Sequence, residues 1–191
     1  MTDPFKVTKL DKLFVATVLK LFPPQVTPNQ ITIFRFFTVP FVAFFISIGE
    51  YKWAFILFVI SAFSDALDGA LARTTDRVTE WGTVYDPVAD KLLIGFSIFL
   101  ILPKFLDPRL AFTIIFLEMF MIGAGYYFRN FGQKQVLSNW WGKSKMLTQS
   151  VGVSLVLLYS ILPFGFLILA AEYILYAAVG LALISLITYS L

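Results

Sequence analysis

The chain has 191 residues, 59% of them hydrophobic and only 14% charged, and its mean hydropathy is +0.82. Soluble domains carry about 25% charged residues, and twenty-two Phe are more apolar aromatic area than a soluble core of this size can hide, so composition excludes the ordinary soluble class. The absence of Cys and His excludes disulfides, thiolate nucleophiles, histidine bases and Cys- or His-ligated metals, while the formal charge of +3 matters less than where the cations sit.

Residues 1–28 differ from the rest. Lys6, Lys9, Lys12 and Lys20 interleave with Leu10, Leu13, Phe14, Val15, Val18 and Leu19 at helical intervals. This pattern predicts an amphipathic juxtamembrane helix lying among lipid headgroups, with its lysines drawn to anionic lipid. Its apolar stretch is too short and too broken by lysines for a cleaved signal peptide. Pro23, Pro24 and Pro28 end it, and Thr27-Pro28-Asn29 caps the next helix.

Apolar runs of the length needed to cross a bilayer, about 20 residues, follow at 30–49, 53–73, 86–103, 109–128, 144–162 and 165–190. The fold class expected is therefore an all-α integral membrane protein, with six transmembrane helices in a single domain over 29–191. With a cytoplasmic N-terminus, the outer loops hold only Lys52, Lys104 and Arg109. The inner side then receives the four N-terminal lysines, Arg73, Arg77, Arg129, Lys134, Lys143 and Lys145, and Arg35 and Lys91 lie near inner helix ends. Both termini are expected in the cytoplasm, with a multi-pass location in the cell plasma membrane.

Charges inside membrane spans are costly and point to function. Asp65 and Asp68 are three residues apart and share a helix face; Asp86 and Asp90, four apart, do the same. A short inner loop makes these helices neighbours, so four carboxylates can converge near the cytoplasmic surface. Four such anions repel unless a cation or proton intervenes, and an all-oxygen site favours Mg2+ or Mn2+ (Ca2+ less so), with a pair of ions accommodated. Gly69, Gly82 and Ala72 clear space beside the acidic faces, and Arg73, about one turn beyond Asp68, is placed to meet a phosphate or a carboxylate.

Written out, the stretch from Asp65 to Asp90 reads D-x2-D-G-x2-A-R-x8-G-x3-D-x3-D. It resembles the signature of the CDP-alcohol phosphotransferases, integral membrane enzymes of phospholipid synthesis, with every fixed position filled. The resemblance implies a six-helix fold, a homodimer and an active site near the cytoplasmic face. It implies that Asp65, Asp68 and Asp86 ligate metal, and that Asp90 contributes to the metal site and deprotonates the acceptor hydroxyl. By the same resemblance Asn29, Asp65, Gly69, Ala72, Arg73 and Gly82 bind the CDP-lipid.

Outside this core, Asp86-Pro87-Val88-Ala89-Asp90-Lys91-Leu92 is similar to the D-P-x-A-D-K-L form of the family's glycerophosphate- and cardiolipin-forming branches. Thr27-Pro28-Asn29-Gln30-Ile31-Thr32 with Arg35 resembles their P-N-x-[IL]-T-x2-R opening, and Gly142-Lys143-Ser144-Lys145 with Gln149 their G-K-x-K-T-x2-Q segment. Met146 departs from the usual Thr, and Asn130 from a common acidic residue. The resemblance implies CDP-diacylglycerol and glycerol 3-phosphate as substrates, with phosphatidylglycerol, inositol phosphate or serine as the alternative acceptors.

Arg129, Lys143 and Lys145 form a basic group at the inner face, suited to an acceptor's phosphate or simply to positive-inside anchoring. Glu118 and Glu172, in or near spans, receive no role. Membrane lipids are the expected surroundings, and no soluble domain presents these lysines to nucleic acid. The alternative of another class is a cation transporter, which would place its acids near the bilayer midplane, often between internal repeats.

Overall fold

The computed structural model describes the backbone over residues 28–75, 80–131 and 140–190, and side chains over 30–64, 85–125 and 140–188. The expected amphipathic helix over 1–28 lies outside the described residues, save for Pro28. Six helices and no strands are found among the described residues: α1 Pro28–Ser47, α2 Tyr51–Thr75, α3 Glu80–Phe105, α4 Pro108–Phe131, α5 Trp140–Ile161 and α6 Gly165–Ser190. Each contains or overlaps one expected span. The largest difference is at the start of α3, which begins at Glu80 rather than residue 86, so the helix carries Gly82 as well as Asp86 and Asp90.

Local chemistry sets the ends. Pro28 opens α1 and Pro108 opens α4, where the missing N–H costs nothing. Asp107 caps α4 through its Oδ1, which accepts from the Arg109 amide at 2.9 Å. Gly49 closes α1 with φ +82°, a left-handed conformation that glycine adopts without strain. The Gly49 amide bonds to the Ile46 carbonyl at 3.3 Å and the Glu50 amide to Phe45 at 2.9 Å, the paired bonds of a Schellman turn.

Among the described residues three helices contain segments long and apolar enough to cross a membrane, Gln30–Ser47, Pro108–Gly125 and Gly165–Thr188, and α2 contributes a shorter apolar segment, Tyr51–Ser64. The remaining helices are interrupted by polar residues: Asp86, Asp90 and Lys91 in α3, and Lys143, Lys145 and Gln149 in α5. The outer surface carries many large apolar side chains, among them Phe37, Phe116, Met119 and Phe166. A surface so apolar belongs in lipid rather than water.

The core runs between the helices through Val42, Ile46, Phe58, Leu93, Ile98 and Leu175. Helix α1 packs on both α2 and α3, α5 packs on α2, α3 and α6, and α4 on α3 and α6. The tightest approach joins α5 to α6: a Cβ built on Gly152 would lie 2.7 Å from the Leu175 side chain. Buried Ala171, Ala178 and Ala182 flank Leu175 along α6, and such small residues let helices come close where lipid supplies no hydrophobic drive.

Helices α1 and α3 are joined at both ends. At the α1 C-terminus Lys104 Nζ donates to the Ile46 carbonyl at 2.7 Å, and the same ammonium lies 5.4 Å from the centre of the Tyr51 ring. At the opposite end, side chains of α1 meet the acidic face of α3.

Candidate active site

The acidic motif spans the C-terminal half of α2 and the first turns of α3. Asp86 and Asp90 stand about one turn apart on α3. Each finds its partner on α1: Thr32 Oγ1 donates to Asp86 Oδ1, and Arg35 Nη1 donates to Asp90 Oδ1 at 2.7 Å. Thr32 and Arg35 are themselves three apart, so one face of α1 meets one face of α3 with the same direction along both helices. The two helices therefore run parallel, and the Lys104–Ile46 bond fits the same register.

The Arg35 side chain is 0% exposed and that of Asp90 14%. A cation buried so completely is tolerated only beside an anion, which makes the pairing of α1 with α3 a matter of charge as well as shape. Beside Arg35, Thr38 Oγ1 donates back to the Arg35 carbonyl at 2.8 Å and shares a 2.8 Å hydrogen bond with Ser61 of α2. Buried hydroxyls thus tie α1 to α2 just beneath the acidic face.

A second buried polar group joins α4 to α5. Lys145 Nζ pairs with Glu118 Oε1, and Gln149 Nε2 donates to the same oxygen at 3.0 Å. The Lys145 side chain is 4% exposed, and its ammonium also lies 3.7 Å from the Met121 sulfur. The other Glu118 oxygen, Oε2, is buried and has no hydrogen-bond partner among the described residues.

Residues 25–185 match the family model described as CDP-alcohol phosphatidyltransferase. The chain belongs to that family. It is similar to the CDP-diacylglycerol–glycerol-3-phosphate 3-phosphatidyltransferase of Haemophilus influenzae, at 30% identity over 170 residues, covering 85% of this chain and 90% of that one. It resembles the enzyme of the same name from Rickettsia felis at 32% identity over 136 residues, covering 70% of this chain and 75% of that one. A probable cardiolipin synthase (CMP-forming) of Drosophila melanogaster is 33% identical over 104 residues, 53% of this chain and 32% of that one.

For this phosphatidyltransferase, the sequence-derived residues fall into three groups. Asp86 and Asp90 are brought together on α3. Asp65, Asp68, Gly69, Ala72 and Arg73 belong to α2, Gly82 to α3, Asn29 to α1 and Arg129 to α4, but their side chains lie outside the described residues. Among the described residues no three acidic side chains meet, since the expected cluster needs Asp65 and Asp68. Lys143 and Lys145 are not brought together: Lys143 is exposed, whereas Lys145 is buried against Glu118. Residues two apart on a helix point to different sides, which is the physical reason.

The sequence alone assigns no function to Thr32, Arg35 or Glu118. The signal was available: each is a polar or charged residue in an apolar run, where the cost of burial demands a partner. What a single chain does not reveal is which neighbouring helix supplies it.

Proposed function

We propose that this membrane enzyme transfers the phosphatidyl group of CDP-diacylglycerol to glycerol 3-phosphate, releasing CMP and forming phosphatidylglycerophosphate. The reading is carried by the Asp86/Asp90 face of α3, held by Thr32 and Arg35, inside a complete D-x2-D-G-x2-A-R-x8-G-x3-D-x3-D frame. The relatives named for this reaction, matched over most of their length, support glycerol 3-phosphate as the acceptor.

In the reaction the acceptor's hydroxyl oxygen forms a bond to the lipid-bearing phosphorus. The bond from that phosphorus to the bridging oxygen breaks, and its electron pair leaves with CMP. Asp90 takes the hydroxyl proton; with no His in the chain, a carboxylate is the available base. The Arg35 contact at 2.7 Å fixes the orientation of that carboxylate before substrate arrives. Gly69, Ala72 and Gly82 leave room for the CDP moiety, Arg73 meets its phosphates, and Asn29 lies at the mouth of α1.

The donor chemistry fits Mg2+ or Mn2+: it is all hard oxygen, from Asp65, Asp68, Asp86 and Asp90. A pair of such ions would supply charge neutralisation at the pyrophosphate and the leaving group. Arg129 and Lys143 are the cations assigned to the acceptor's phosphate, while Lys145, engaged by Glu118, contributes its field from behind.

We assign all six helices to the bilayer, with both termini and the acidic site on the cytoplasmic side, and a homodimer as the working unit. Residues 29–191 form the catalytic domain, and residues 1–28 rest on the surface. The relative from Drosophila supports a second acceptor, phosphatidylglycerol, and inositol phosphate is the third. The transporter alternative has no such support. The deciding experiment is CMP release from CDP-diacylglycerol against a panel of acceptors.

A further inference from the structure

Helix α3 presents two different faces at its N-terminal half. Asp86 and Asp90 point to α1, while Lys91, rotated by about 100° from Asp90, faces α4 and α5. On that second side lies a cleft of about 510 Å³ between α3, α4 and α5. Its polar end is formed by Lys91, Glu118 and Gln149, and its apolar end by Ile98, Phe99 and Ile115. Lys91 to Phe99 is eight residues, about 12 Å along the helix. The rim residues Phe96, Phe99 and Met119 are 48%, 54% and 65% exposed, so the cleft opens sideways rather than toward the helix ends.

The charges at its polar end do not balance. Glu118 gives its Oε1 to Lys145 and Gln149. Lys91 is half-buried beside them, attracted by Glu118 and repelled by Lys145, and has no hydrogen bond or ion pair among the described residues. Two ammonium groups thus share one carboxylate, and the second faces an apolar cleft. Basic pockets between membrane helices at the cytoplasmic side are suited to anionic lipid headgroups.

We propose that the α3–α4–α5 cleft binds an anionic phospholipid of the surrounding membrane, its phosphate on Lys91 and an acyl chain along Gly95, Phe99, Ile115 and Met119. The cleft lies on a different face of α3 from Asp86 and Asp90. A second copy of the chain is the weaker occupant. Docked on the same face it would bring a second Lys91, and Glu118, the one acid lining the cleft among the described residues, is already held by Lys145 and Gln149.

The test is native mass spectrometry of the full chain released from vesicles of phosphatidylglycerol and phosphatidylcholine. The wild type retains phosphatidylglycerol in preference to phosphatidylcholine, and excess CDP-diacylglycerol does not displace it. Lys91→Gln loses the preference, while Lys91→Arg keeps it. Gly95→Leu loses the lipid altogether; a Cβ at Gly95 meets nothing within 4 Å, so the larger side chain fills the cleft without forcing the helices apart. The proposal is overturned if the wild type does not discriminate between the lipids, if Lys91→Gln still does, or if CDP-diacylglycerol competes the lipid away. Because the chain has no Cys, Met119→Cys also reports on the rival: a disulfide-linked dimer formed in the membrane would assign the cleft to a second copy and overturn the lipid site.

Discussion

Arg35 of α1 and Asp90 of α3 form an ion pair at 2.7 Å, with the arginine side chain wholly buried. The residue assigned as the base is thus held by a helix outside the acidic motif. Removing one member of a buried pair typically costs about 3–5 kcal/mol because the other charge is left uncompensated. Arg35→Leu should therefore lower the melting temperature markedly and abolish turnover. Arg35→Lys should regain most of the stability but little of the rate, since an ammonium lacks the planar donor geometry of a guanidinium. Thermal unfolding in detergent, with initial rates on the same samples, checks both.

Asp90→Asn separates two roles for this carboxylate. If Asp90 is chiefly the base, turnover is lost while CDP-diacylglycerol binding, measured by direct titration, is largely kept. Loss of binding together with turnover would make Asp90 mainly a metal ligand and require a different base.

The Glu118–Lys145 pair joins α4 to α5, with Lys145 4% exposed. Glu118→Gln and Lys145→Met should each destabilise, by about 3–5 kcal/mol at most, with the double substitution milder than either alone. A double-mutant cycle on thermal stability reads the coupling. On the acceptor side, Lys143→Ala should raise KM for glycerol 3-phosphate with little change in stability, because Lys143 is exposed. An unchanged KM in both Lys143→Ala and Lys145→Ala would remove these lysines from the acceptor pocket.

Gly152→Ala adds a methyl 2.7 Å from Leu175, closer than real contacts allow. Overpacking of this kind costs about 1–3 kcal/mol. Pairing Gly152→Ala with Leu175→Ala should recover part of the loss, and thermal unfolding of the two variants shows whether it does.

The helices were readable from the sequence because their apolar stretches are closed by Pro, Gly or charge, as at Pro28, Gly49 and Pro108. The shared face of Asp86 and Asp90 was readable from spacing alone, since helical periodicity fixes it. Their partners were not. Thr32 and Arg35 reach them from more than 50 residues away, and that match depends on how α1 and α3 rotate against each other. Lys143 and Lys145 are close in sequence, yet the helix sends one outward and the other to Glu118. Glu118 lay in an apolar run as an unexplained acid until α5 was packed beside it.

CMP release from CDP-diacylglycerol measures phosphatidyl transfer to glycerol 3-phosphate directly. With the purified full chain and Mg2+ or Mn2+ present, glycerol 3-phosphate should release CMP and yield phosphatidylglycerophosphate. Phosphatidylglycerol, inositol phosphate and serine should give little, and chelation of the metal should stop the reaction. Release with inositol phosphate or phosphatidylglycerol but not with glycerol 3-phosphate would contradict the acceptor assigned here, and no release with any acceptor would contradict the reaction itself.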